Sequence, residues 1–121
     1  VMVIVDAVIN HMARGKDYYG KGVAGNTFGD RVYPGVPFGQ EDFHHDFLNP
    51  ASNCMVDKPS DFHDTHIMQY CDLTGLPDLN TERPQTLAKI NELLTNLSAM
   101  GTNVGFRFDA AKSIPAAELD G

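Results

Sequence analysis

Arg107 and Asp109 stand two residues apart in the run Asn103-Val104-Gly105-Phe106-Arg107-Phe108-Asp109-Ala110-Ala111-Lys112. Side chains alternate along a strand, so an extended chain puts Arg107 and Asp109 on one face and Phe106 and Phe108 on the other. With phenylalanines on one side and an ion pair on the other, the strand is expected to be buried on both faces. Buried charges are costly unless paired, which makes Arg107 the expected partner of Asp109. A nearby cation also favours the ionised carboxylate. An ionised, oriented Asp at the C-terminal end of a strand meets the requirements of a nucleophile. A purely structural ion pair is the simpler reading of these residue types alone, so the surrounding elements have to decide.

The first of those elements is Val1-Met2-Val3-Ile4-Val5, a continuous apolar, β-branched run of the kind found in parallel strands covered on both faces. It runs into Asp6, Asn10 and His11, as strands do at the functional rim of a (β/α) barrel. Asp6 and Asn10 are also common turn residues. Turn chemistry explains Asn10 alone and accounts poorly for the whole Asp-x-x-x-Asn-His cluster.

Periodicity then disappears from residue 13 to about residue 72, where Gly, Pro, Asn, Asp and aromatic residues are interspersed. A structureless loop of that length does not belong in a compact domain. The segment reads as a small irregular subdomain inserted after the first strand, with a few short strands. Such a subdomain needs a disulfide or a bound metal to hold it. It offers Asp30, Glu41, Asp42, Asp46, Asp57, Asp61 and Asp64 as oxygen ligands, most of which read as solvated surface charges. His44-His45 and His63-x-x-His66 fit no standard zinc pattern. Cys54 and Cys71, 17 positions apart, are either free buried thiols or a disulfide worth ~3 kcal/mol in the chain-entropy picture.

Order returns at Leu73-Thr74-Gly75-Leu76-Pro77-Asp78-Leu79-Asn80, where Asp78 is either a buried oxygen ligand or a turn residue. A helix follows. Pro84 suits its first turn. Leu87, Ile90, Leu94 and Leu97 form a core-facing stripe with Leu93 and Met100 beside it, and Gly101 is the expected stop. The formal glycosylation sequon Asn96-Leu97-Ser98 falls inside this helix, which argues against its use. The order strand, insertion, helix, strand is that of one βα unit of a parallel barrel with a subdomain lodged in its loop.

Composition narrows the partners. The net charge of -7, without a basic patch, argues against nucleic acid, and no segment approaches membrane-spanning length. The start in an apolar strand without Met and the end in Ile114-Pro115-Ala116-Ala117-Glu118-Leu119, which reads as the first turns of a helix, suggest a piece of something longer.

Three motifs together resemble a known family. Asp6-Ala-Val-Ile-Asn10-His11, Leu76-Pro77-Asp78-Leu79 and Gly105-Phe-Arg107-Phe-Asp109-Ala-Ala-Lys112 resemble signature blocks of the α-amylases, the family 13 glycoside hydrolases. Their order and spacing are similar to those of the chloride-dependent animal and actinobacterial branch. The resemblance implies an α/β fold: the part of a (β/α)8 TIM barrel from the third strand to the fourth, with an inserted, irregular, β-containing domain B. Residues 1–12 would be the barrel strand and active-site rim, 13–79 the calcium-binding insertion, and 80–121 the helix, the catalytic strand and the start of the next helix. Asp109 matches the family's nucleophile, and Arg107 the arginine that supports it and, in that branch, binds chloride. His11 and Lys112 match substrate-binding positions. Asn10 and Asp78 match side-chain calcium ligands, with backbone oxygens expected from Gln69 and from Ser113, which stands where the family has His. Cys54 and Cys71 match a domain B disulfide, implying an oxidising compartment and a secreted protein.

The implied activity is retaining endo-hydrolysis of α-1,4-glucosidic bonds in starch or glycogen by a protein that is monomeric at full length. The acid/base Glu that the family carries on its fifth strand lies outside these residues. Alternatives are a relative with α-glucosidase or transglycosylase specificity, or a non-catalytic binding subunit that keeps the fold.

Overall fold

The computed structural model describes residues 1–46, 48–49 and 52–120. In chain order the elements are β1 (Val3–Ala7), β2 (Tyr19–Lys21), β3 (Thr27–Gly29), β4 (Met55–Val56), α1 (Thr65–Tyr70), β5 (Asp72–Leu73), α2 (Pro84–Ser98), β6 (Val104–Phe108) and α3 (Ala116–Leu119). The chain is thus α/β. β1 and β6 pair in parallel from Val3 opposite Val104 to Ala7 opposite Phe108, and the Asp109 N–H extends the ladder by donating to the Ala7 carbonyl at 3.1 Å. Parallel partners need a long crossover, and here it consists of the insertion followed by α2.

α2 starts with Pro84 in its first turn, where the missing N–H is not needed. Ile90 is buried, while Leu87, Leu94 and Leu97 are half-buried, so the stripe packs as its spacing predicts. Leu93 and Met100, expected beside it, are exposed. The helix also stops at Ser98, capped by Ala99, before reaching Gly101.

The insertion carries the expected short strands. β2 and β3 pair antiparallel, and β4 and β5 in parallel. It also forms a helix that the sequence reading did not anticipate. α1 begins where the Asp64 carboxylate accepts from the N–H groups of His66 and Ile67 at 3.0 and 3.1 Å, a side-chain cap. The expected disulfide is present between Cys54 and Cys71, and with Val56 and Met68 it makes the insertion's own small core. A larger core joins Ala7 and Ile9 of the first strand region, Tyr33, Phe38 and Phe43 of the insertion, Leu79, Ile90 of α2, and Ile114. Two elements far apart in sequence are thereby fixed against each other by apolar burial.

The expected burial of both strands on both faces is not met. Ile4 is 65% exposed and the Arg107 side chain 60% exposed. The reason is geometric: a two-stranded ribbon has no further strand beside it, and α2 with the insertion covers only part of its surface. The acidic insertion residues also include an exception to the solvated reading. Asp42 is buried, accepting from Thr86 of α2 at 2.6 Å and pairing with Lys89 at 3.1 Å.

Candidate active site and cation site

The parallel register places Asp6 of β1 directly opposite Arg107 of β6. Arg107 Nη1 donates to Asp6 Oδ1 at 2.5 Å and to Asp109 Oδ1 at 3.1 Å, so a single guanidinium bridges two carboxylates at the C-terminal ends of adjacent strands. The hydrogen bond to Asp6, followed by Asp6's charge and then Asp109, raises the Arg107 pKa above its ordinary value. The Arg107–Asp109 pair is the one expected from their alternation. Asp6 as second partner was not foreseen, because two residues 101 positions apart meet only once the register of β1 against β6 is known.

Directly after Asp109 the chain turns through Ala110 at φ +50°, a left-handed conformation that non-glycine residues seldom adopt. The turn ends the strand and leads into a short 3-10 segment, Ala111–Ser113. His11 belongs to the same end of the ribbon. Burial pushes its pKa down and the negative charge of Asp109 pushes it back up, so imidazole and carboxylate feel one another. Lys112 is exposed, and its Nζ donates to the Phe62 carbonyl at 2.7 Å, tying the post-strand turn to the insertion. Gln69, on α1, lines a concavity of about 290 Å³ together with Lys112, Phe62 and Met68. α1 in turn packs on the 3-10 segment that holds the buried Ser113. A larger apolar concavity, about 560 Å³ between Val8, Phe38 and α2, contains neither Asp109 nor Arg107.

Asn10 and Asp78 meet on a second, buried layer. Met12 N–H donates to the Pro77 carbonyl at 3.0 Å and Leu79 N–H to the Asn10 carbonyl at 2.9 Å, so the two segments run antiparallel. Asp78 is 1% exposed. Its Oδ2 lies 2.8 Å from His44 Nδ1, and its N–H donates to Asp72 Oδ1 at 3.0 Å. Asp72 is paired with buried Arg31 at 2.6 Å. Burial dominates at Asp78 and pushes its pKa up to about 6 in spite of His44. Asp78 Oδ1 is buried with no hydrogen-bond partner among the described residues, an expensive arrangement for a carboxylate oxygen.

An orphaned carboxylate oxygen on the layer that also buries Asn10 has the donor chemistry of a hard-cation site. Among the described residues no three His, Cys, Asp or Glu side chains gather closely enough to hold an ion, so a cation there would draw on Asn10 and backbone oxygens as well. His44, Asp72 and Arg31 were not singled out as functional from the sequence. The His44-His45 doublet was weighed only against a zinc pattern, which it does not fit, and nothing in the sequence linked it to Asp78.

No protein-family profile matches the chain. An alpha-amylase of Streptomyces violaceus is 38% identical over 119 residues, which is 98% of this chain and 18% of that protein. An alpha-amylase-related protein of Drosophila pseudoobscura pseudoobscura is 36% identical over 124 residues, covering 99% of this chain and 22% of that protein. The crystal structure of alpha-amylase I from Eisenia fetida, as a Glu-to-Gln mutant in complex with maltohexaose, superposes with a TM-score of 0.82 at 31% identity, over 99% of this chain and 23% of that one. The wild-type Eisenia enzyme gives 0.80.

Nearly the whole chain, including the parallel ribbon that ends in the Arg-supported carboxylate, is similar to proteins named as α-amylases. The similarity is that of an α-amylase fragment, and the chain spans about a fifth of the length of the relatives it matches.

Proposed function

We propose that the protein carrying this chain hydrolyses internal α-1,4-glucosidic bonds of starch or glycogen with retention of configuration. The observation that supports it best is Asp109, one-third exposed at the end of β6 and held at 3.1 Å by Arg107, with His11 and Lys112 on the same rim. In this reading β1 and β6 are neighbouring strands of a (β/α)8 barrel, and residues 13–79 are an insertion at its mouth.

Asp109 attacks the anomeric carbon as the glycosidic C–O bond breaks. The leaving oxygen takes a proton from a second carboxylic acid, supplied from outside these residues about 5 Å away. That second group then deprotonates the water that cleaves the glycosyl ester and releases Asp109. Arg107 orients Asp109 and balances its charge. His11 and Lys112 bind sugar hydroxyls.

Asn10 and Asp78, with carbonyls of Gln69 and Ser113, would hold calcium, which would fix the insertion to the barrel. Chloride at Arg107 is a further element of the proposal, checked by assaying with and without the anion. The disulfide suits a secreted protein, and a monomer is expected at full length.

Asp109→Asn in the full-length protein is expected to abolish starch hydrolysis while leaving the melting temperature essentially unchanged; near-normal turnover would remove the nucleophile role. Product size from starch against maltose separates an endo-amylase from an α-glucosidase or transglycosylase of the same fold.

A further inference from the structure

We infer that Asp6 is a positioning residue for the nucleophile, acting through Arg107; the inference rests on the catalytic reading of Asp109 given above. Arg107 reaches Asp109 from two positions back on the same strand, a local contact that leaves the long, flexible side chain several rotamers. Asp6 comes from the neighbouring strand, and its place is fixed by five register pairs, Val3–Val104 through Ala7–Phe108. The shorter contact, 2.5 Å, is to Asp6, and the longer, 3.1 Å, is to Asp109. The guanidinium is therefore anchored on β1 and presents its remaining capacity to Asp109.

The same atom, Nη1, makes both contacts, so a shift of the anchor is transmitted directly to the nucleophile's partner. Turn chemistry, the ready alternative for Asp6, does not apply, since Asp6 lies within β1 and its carboxylate points across the ladder to Arg107.

The test is an Asp6 series in the full-length protein, with kcat, KM for soluble starch and melting temperature measured for each variant. Asp6→Ala is expected to lower kcat by about 10- to 100-fold, the scale of a small misplacement of a catalytic group. KM should stay within about twofold, because no substrate contact is removed. Asp6→Asn keeps the acceptor oxygen and loses the charge, so its kcat should fall between those of Ala and wild type. Wild-type kcat in Asp6→Ala, or a loss carried by KM with kcat preserved, overturns the inference. If the Ala variant does not fold, Asp6→Asn decides: a severalfold drop in kcat at unchanged melting temperature supports the anchor, and wild-type kcat sinks it. Asp109→Asn run alongside separates the two claims. If it is dead, the catalytic reading stands whatever Asp6 does; if it is active, that reading falls and takes the anchor with it.

Discussion

At the scale of single residues, two carboxylates show how environment sets role. Asp42 and Asp78 are both shielded from solvent, Asp78 in a much deeper setting, and their pKa values move in opposite directions. Burial raises both. At Asp42 it is outweighed by hydrogen bonds from Thr86, the Gly39 N–H and Lys89, leaving its pKa below the ordinary 3.8. At Asp78 one oxygen has no partner among the described residues, and burial wins. The sign for Asp42 follows from linkage: a carboxylate depressed by folding adds stability above pH 3.8, and that stability drains away as pH falls from 3.8 through the folded value. Thr86→Val, which removes one of the donors, is therefore expected to destabilise the protein by about 1–3 kcal/mol at neutral pH. Its acid-unfolding midpoint, followed by circular dichroism, should move to higher pH. An unchanged midpoint would show that the Asp42–Thr86 bond does not link the insertion to α2.

At the scale of elements, the sequence was legible wherever one periodicity ran long enough. The β-branched run of β1, the leucine stripe of α2 with Pro84 at its start, and the Arg107–Asp109 pair were legible as elements, while the burial expected of β1 and β6 on both faces was not met. The insertion was not legible in detail, for identifiable reasons. Two of its tight turns, at Asp17-Tyr18 and Asp30-Arg31, place consecutive non-glycine residues at positive φ. Neither has the Asn-Gly or Asp-Gly signature by which such turns are recognised. α1 has only six residues, too few for a periodic signal. Asp6 needed the β1–β6 register, and His44 needed the meeting of residues 34 apart.

What holds the insertion's smaller core is the bridge between Cys54 and Cys71, closing β4 against the end of α1. Replacing both cysteines by Ser should cost about 3 kcal/mol on the loop-entropy estimate. Protease cleavage should then begin within residues 54–73 while β1, α2 and β6 remain protected. A cleavage pattern like that of the parent protein would mean that apolar packing around Val56 and Met68 suffices.

For the whole molecule, the insertion and the ribbon meet where Asn10 faces the Pro77–Leu79 segment, and the proposed calcium lies at that seam. A cation there would satisfy the lone Asp78 oxygen and join the two cores, so removing it should loosen the protein as a unit. EDTA treatment of the full-length protein is expected to lower the melting temperature by several degrees, with recovery on adding calcium in excess of its Kd. A melting curve indifferent to chelation would argue that no ion is held by Asn10 and Asp78.

The bare outer surface of the β1–β6 ribbon also has a colloidal consequence. Val3 and Ile4 present apolar side chains to solvent from opposite faces of β1, and among the described residues neither β1 nor β6 has a further strand on its outer edge. These 121 residues, handled alone in solution, should self-associate through strand addition. Light scattering should then rise with concentration, and Lys substitutions at Val3 and Ile4 should suppress that rise.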